Sequence, residues 1–192
     1  MRTCGVILSG GKSSRMGTNK ALLKLGNKKV IEHIADELQS LTDEVIIVTN
    51  EPSLYTFLDL QLICDRHQDK GPLAGLESAF HHINADTFVV AACDMPFVKQ
   101  SVYAHLLQQT ENYDAAVPIY NRQIHPLSAV YKRSVLPLMQ QRLENNELQV
   151  KGFYDQIHVN YINEYGDLAD EVVRKHFFNM NNPEEYEQAK LL

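Results

Sequence analysis

The chain has 192 residues, 44% of them hydrophobic and 22% charged, enough apolar material for the core of one ordinary domain and too much for wholesale disorder. Its net charge of −6 argues against a duplex nucleic-acid binder, which needs a broad basic face to neutralise phosphates. No apolar run approaches the ~18 residues of a membrane span, and the opening stretch Val6–Leu8 is too short for a secretory leader, so the expectation is a cytoplasmic protein with no membrane partner.

Val6-Ile7-Leu8 is a short, wholly apolar strand cut off by Ser9-Gly10-Gly11. The segment from Val30 to Leu41 carries Val30, Ile31, Ile34, Ala35, Leu38 and Leu41 at helical spacing. Val45 to Val48 reads as a second strand and Leu60 to Cys64 as a third. Gly71-Pro72-Leu73-Ala74-Gly75 opens a helix, with Pro72 in the first turn, where its missing N–H costs little. Phe88 to Cys93 is a continuous apolar strand followed at once by Asp94-Met95-Pro96, and Ser101 to about Thr110 reads as a helix. Ala115 to Ile119 and Leu127 to Tyr131 are further strands, and Ser134 to Leu143 a helix. Asn145 to Asp170 takes no assignment. Strands that alternate with helices and are apolar throughout predict a mostly parallel sheet covered by helices on both faces. The fold class expected is therefore α/β, in a single domain over residues 1–192.

The three cysteines, Cys4, Cys64 and Cys93, are too far apart for a close metal-binding pair and read as small buried hydrophobes. Charge is distributed unevenly. Residues 1–31 hold seven basic side chains, Arg2, Lys12, Arg15, Lys20, Lys24, Lys28 and Lys29, and none of the 24 acidic ones. Such a run is either a solvated face or a site for a small, highly charged anion.

The loop after the first strand decides between them. It is not a P-loop, because Val6 occupies the place of that motif's first glycine, and no G-x-G-x-x-G passes through adjacent Gly10 and Gly11. Two glycines nevertheless let the backbone approach a phosphate, with Lys12, Arg15 and Lys20 close by in the chain. Asp94 follows a strand too apolar to be a surface strand and is expected at the same carboxyl edge of the sheet. A carboxylate there suits Mg²⁺, a hard cation that combines one or two carboxylates with phosphate oxygens.

Leu8-Ser9-Gly10-Gly11-Lys12-Ser13-Ser14-Arg15-Met16-Gly17, followed by Lys20, resembles the signature loop of nucleotidyltransferases. Gly71-Pro72-Leu73-Ala74-Gly75, Cys93-Asp94-Met95-Pro96 and Asn179-Met180-Asn181-Asn182-Pro183-Glu184-Glu185 narrow the resemblance to the molybdenum cofactor guanylyltransferases, the MobA family. Ser9 stands where that family more often has Ala, and Glu147 to Phe153 match it only loosely. The resemblance implies a Rossmann-like, three-layer domain of the nucleotide-diphospho-sugar transferase type. It would transfer GMP from GTP to molybdenum-loaded molybdopterin, with Mg²⁺ as cofactor. Proteins that deliver the pterin or receive the product would be transient partners.

By the same resemblance, Leu8, Ser9, Gly10, Gly11, Asn50 and Asp65 would contact the nucleotide. Lys20 would bind its phosphates, Arg15 would stabilise charge on the triphosphate, and Asp94 would hold the metal. Asn179 and Asn181 would line the pterin side, although by themselves they also read as turn residues before a Pro-Glu-Glu helix start. His125, just before a strand, is either a structural loop histidine or a contact for the acceptor. Related readings are a cytidylyl or sugar-phosphate nucleotidyltransferase and a pterin carrier without chemistry.

Overall fold

The computed structural model describes residues 1–10 and 19–192. Its elements, in chain order, are β1 (Thr3–Leu8), β2 (Lys24–Leu25), β3 (Lys28–Lys29), α1 (Val30–Gln39), β4 (Glu44–Val48), β5 (Gln61–Ile63), α2 (Pro72–His82) and β6 (Thr87–Ala92). Then come α3 (Gln100–Gln108), β7 (Ala115–Tyr120), β8 (Gln123–Ile124), β9 (Val130–Lys132), α4 (Leu136–Glu144), β10 (Val159–Ile162), α5 (Asp170–His176) and α6 (Pro183–Ala189). One sheet runs in the order β10-β7-β9-β6-β1-β4-β5, with β8 paired to β7, while β2 and β3 form a separate hairpin. Among the described residues no helix is long and apolar enough to cross a membrane.

The continuous apolar strands have the predicted cause. In β1, Cys4, Val6 and Leu8 join a core with α2 and α4, whereas Ile7 faces a second core with α1, α3 and α5. Each strand residue therefore needs an apolar side chain whichever way it points. Gly5 is the exception in β1, because a Cβ there would lie 3.1 Å from Cβ of Leu38, and its absence lets α1 lie close on the sheet.

The sheet is mixed, not parallel throughout. β9 runs antiparallel to both β6 and β7, and β10 pairs parallel with β7. The predicted strand from Leu127 shrinks to Val130–Lys132, because Ser128 N–H bonds back to the His125 carbonyl (3.1 Å) in a turn. The unassigned stretch after Asn145 holds a 3-10 run, Val150–Gln156, and β10. Cys4 is buried as expected, but Cys64 is exposed, since β5 is the edge strand of the sheet.

Candidate active site

Four strands end level. Leu8 pairs with both Val48 and Ala92, and Val48 pairs with Ile63. The ladder continues one residue further, with Ser9 N–H bonded to the Val48 carbonyl (2.9 Å), Thr49 N–H to Ile63 (2.8 Å) and Cys93 N–H to Leu8 (3.2 Å). Ser9-Gly10, Asn50, Asp65 and Asp94 thus emerge side by side at the carboxyl edge, where open α/β sheets take their ligands. Leu8 itself is buried in the floor.

Asn50 and Asp65 clasp each other. Asn50 Nδ2 donates to Asp65 Oδ2 (3.0 Å), and Asp65 N–H donates to Asn50 Oδ1 (3.1 Å). Burial pushes the Asp65 carboxyl above its ordinary value, partly opposed by the Asn50 amide. Behind them, a Cβ on Gly75 would stand 3.2 Å from Leu8 Cδ2 and 3.4 Å from Asp65 Oδ1. Glycine in the first half of α2 therefore lets the helix lie directly against this floor.

The other end of the crevice is built around Tyr55, a fully buried residue that sequence reasoning did not single out. Its Oη shares a 2.6 Å hydrogen bond with Ser9 Oγ and receives another from Asn19 Nδ2 (2.8 Å). Asn19 also accepts from Ala21 N–H (3.1 Å), capping the 3-10 turn Lys20–Leu22. The chain is thereby fixed at Lys20, whose Nζ donates to Asn181 Oδ1 (2.9 Å).

Asp94 lies between these groups. Its carbonyl accepts from Met180 N–H (2.8 Å), joining the loop after β6 to the Asn179–Asn181 segment. Burial pushes its carboxyl up, and the nearby Lys20 and then His125 pull the other way. Among the described residues, no side-chain donor hydrogen bonds to this carboxylate, and no group of three or more His, Cys, Asp or Glu could hold a metal alone. A half-buried carboxylate beside a lysine, with Glu185 the other acid close enough to act on it, fits a cation whose remaining ligands come from phosphate and water.

Of the predicted site residues, Leu8, Ser9, Gly10, Lys20, Asn50, Asp65, Asp94 and Asn181 converge on this edge. Gly11 and Arg15 lie outside the described residues. Asn179 is adjacent, but its amide reaches only the Phe177 carbonyl, at 3.4 Å. The helix cap before Pro183 is Asn182, which accepts from Glu185 N–H (2.9 Å), so the turn role falls to that residue and Asn181 is left to meet Lys20.

Two buried networks brace the edge. Glu77, wholly buried in α2, pairs with Arg66 and accepts from Gln140 Nε2 (3.0 Å), while Arg66 N–H donates to Ser78 Oγ (2.8 Å). They tie the loop after Asp65 to α2 and α4. On the far side, Lys99 N–H donates to His176 Nδ1 (2.9 Å), so that nitrogen carries a lone pair and Nε2 carries the proton. Nε2–H then donates to Ser128 Oγ (2.9 Å), Ser128 to Tyr103 Oη (3.1 Å) and Tyr103 to the Val90 carbonyl (3.0 Å). Burial pushes His176 down to about 3, consistent with this neutral, fully bonded ring. An acid flanked by Leu76 and Ser78 in an apolar helix was the one sequence signal for Glu77; His176 left none.

Comparison with known proteins places these features in a family. Residues 5–158 match the MobA-like NTP transferase domain. A protein of Carboxydothermus hydrogenoformans named "probable molybdenum cofactor guanylyltransferase" is 38% identical over 183 residues, covering 95% of this chain and 92% of that protein. One of the same name from Pelotomaculum thermopropionicum is 33% identical over 192 residues, covering all of this chain and 94% of its own. In structure, the chain is similar to the molybdopterin-guanine dinucleotide biosynthesis protein A of Archaeoglobus fulgidus, with a TM-score of 0.83 at 26% identity over 98% of this chain and 97% of the other.

Proposed function

Since the chain belongs to the MobA-like NTP transferase family, we propose that it is a molybdenum cofactor guanylyltransferase. With residues 1–192 acting as one catalytic domain, it transfers GMP from GTP to molybdenum-loaded molybdopterin and releases pyrophosphate. The observation that carries this reading is the convergence of Lys20, Asn181 and Asp94, from the two ends and the middle of the chain, on one carboxyl edge.

The nucleoside lies over β1, β4 and β5, against Ser9, Gly10, Asn50 and Asp65, and Gly11 is a further nucleotide contact in this reading. Lys20 grips the triphosphate, and Arg15 stabilises the charge on it. A terminal phosphate oxygen of the pterin attacks the α-phosphorus in line; the new O–P bond forms as the bond to the β-phosphate oxygen breaks, and pyrophosphate leaves with that electron pair. A phosphate monoester is already anionic near neutral pH, so positioning and charge neutralisation supply most of the catalysis. Asp94 would hold Mg²⁺, which when bound neutralises charge developing on the transferred phosphoryl group. Asn181 holds the Lys20 ammonium in place, and Asn179 borders the pterin side. The protein works in the cytoplasm in this reading, in transient contact with the proteins that bring the pterin and take the product.

GTP labelled at its α-phosphate tests the proposal. With Mg²⁺ and molybdenum-loaded molybdopterin, label is expected in a pterin-containing product, and Asp94→Asn should lower its rate by orders of magnitude. Label transferred from CTP alone would move the protein to the cytidylyl branch. Pterin binding without transfer from any nucleotide, unaltered by Asp94→Asn, would make it a carrier.

A further inference from the structure

One buried hydroxyl ties together two parts of the chain that flank the glycine loop. Tyr55 ends the short 3-10 turn Pro52–Tyr55, which follows Asn50. That turn is pinned at both ends, by Leu54 N–H on the Glu51 carbonyl (3.1 Å) and Leu58 N–H on the Tyr55 carbonyl (3.0 Å). The side chain is fully buried, so its Oη has to find its partners inside the protein. It finds one on either side of residues 11–18: Ser9 Oγ at 2.6 Å, directly after β1, and Asn19 Nδ2 at 2.8 Å, directly before Lys20.

The neighbours of these groups fix what each of them does. Asn19 Oδ1 accepts from Ala21 N–H (3.1 Å), which leaves Nδ2 as the atom facing Tyr55, and an amide nitrogen only donates. The Ser9 backbone N–H is committed to the Val48 carbonyl (2.9 Å), so Ser9 meets Tyr55 through its hydroxyl alone. A single oxygen therefore holds Ser9 and Asn19 to one point. A phenylalanine in its place would keep the ring and leave both without this partner.

What the tie fixes is Lys20. Asn19 caps the turn Lys20–Leu22, which closes through Leu22 N–H on the Asn19 carbonyl (3.1 Å) and Leu23 N–H on the Lys20 carbonyl (3.2 Å). Held to a buried oxygen, the turn starts from a fixed point, and the Lys20 ammonium arrives at Asn181 Oδ1 (2.9 Å). Tyr55 itself belongs to the segment after Asn50, on the side of the crevice given to the nucleoside. Its hydroxyl thus connects the nucleoside side to the lysine that meets the phosphates. Such bracing matters for rate, because a misplacement of about 1 Å at a reacting centre can cost roughly 10².

We propose that Tyr55 is a positioning residue for the transfer reaction: its hydroxyl, acting through Asn19, sets where the Lys20 ammonium stands relative to the nucleoside. Tyr55 does this from within the core and does not reach the nucleotide itself. The inference rests on the reading above, in which Lys20 binds the phosphates of GTP.

A double-mutant cycle with Lys20 tests it, read as kcat/KM for GTP in guanylyl transfer, with thermal unfolding recorded alongside. Tyr55→Phe should lower kcat/KM for GTP roughly tenfold or more. KM for molybdenum-loaded molybdopterin should stay within about twofold, since the acceptor does not depend on this tie. In a Lys20→Ala background the same substitution should cost less than about twofold further, because no ammonium is left to position. Asn19→Ser gives a second route. Serine still caps the turn but lacks the second polar atom that reaches Tyr55 Oη, so it should reproduce the loss and again add little to Lys20→Ala. Losses from Tyr55→Phe and Lys20→Ala that simply multiply would mean a structural tyrosine and overturn the proposal. So would an Asn19→Ser protein with the parent's kcat/KM. If the Phe variant fails to fold, the Asn19→Ser cycle decides by itself. Absence of transfer by the unaltered protein would overturn the function reading and this inference together, whereas normal transfer by Tyr55→Phe and Asn19→Ser overturns this inference alone.

Discussion

Lys20 and Asn181, 161 positions apart in the chain, meet in a 2.9 Å hydrogen bond from Nζ to Oδ1. The contact joins the segment that follows the glycine loop to the segment that precedes the last helix, next to the Met180 N–H that bonds to the Asp94 carbonyl. An ammonium held by a neutral amide keeps its full charge for a ligand. Lys20→Ala should therefore lower kcat/KM by about 10²–10³, the range for losing one preorganised charge-stabilising group. Asn181→Asp would give the ammonium a resident anion, and KM for GTP should rise even though the lysine remains. Steady-state kinetics of both variants checks the pair, and an Asp variant that binds GTP normally would contradict it.

Gly75 is tested by its neighbours. Alanine is worth about 1 kcal/mol over glycine inside a helix, but its Cβ would sit 3.2 Å from Leu8 Cδ2 and 3.4 Å from Asp65 Oδ1. The propensity gain and the crowding should offset each other, leaving the melting temperature of Gly75→Ala near that of the parent. The push on Leu8, in the floor beneath the nucleotide, should still raise KM for GTP. A variant changed in stability but not in GTP binding would refute this reading of the glycine.

The Arg66–Glu77 pair predicts a stability effect of another kind. Glu77 is fully buried and Arg66 is partly exposed. Removing the partner of a buried charge costs roughly 3 kcal/mol, so Arg66→Ala should lower the denaturant midpoint markedly. Arg66→Ala with Glu77→Leu should recover much of that loss, because no charge is then left buried. Equilibrium unfolding in urea measures both.

His176 sets a pH dependence of stability. Its folded value of about 3 lies below the ordinary histidine value of 6.5. Between these limits the unfolded chain binds a proton that the folded chain refuses, so this contribution is complete above pH 6.5 and is lost as pH falls toward 3. The slope from this one group is about 1.4 kcal/mol per pH unit within the window. Urea midpoints measured from pH 4 to 7 should fall less steeply with acidification in His176→Gln than in the parent, after allowance for the variant's lower stability at neutral pH.

Much of the architecture was legible because it follows from residue-by-residue rules. Phe88 to Cys93 could be read as a strand covered on both faces since every residue in it is apolar, and Asp94 as an edge residue since it is the first polar group beyond. Asn50 and Asp65 were named by the family resemblance and by no such rule. What escaped depends on contacts distant in sequence. Nothing local marks β9 as antiparallel, or β10 as the strand that completes the sheet after a 3-10 run. Cys64 was misread because an edge strand has the composition of a central one. Tyr55 looks like any aromatic in a loop until Ser9 and Asn19 meet its hydroxyl, and the polar chain through His176 draws its members from α3, the turn before β9 and α5.

The most direct test is pyrophosphate release with Mg²⁺ and molybdenum-loaded molybdopterin, with GTP, CTP and ATP assayed in parallel. The account predicts release with GTP, dependent on the pterin and absent with the other two nucleotides. Release with CTP in place of GTP, or none with any nucleotide while the pterin binds tightly, would contradict it.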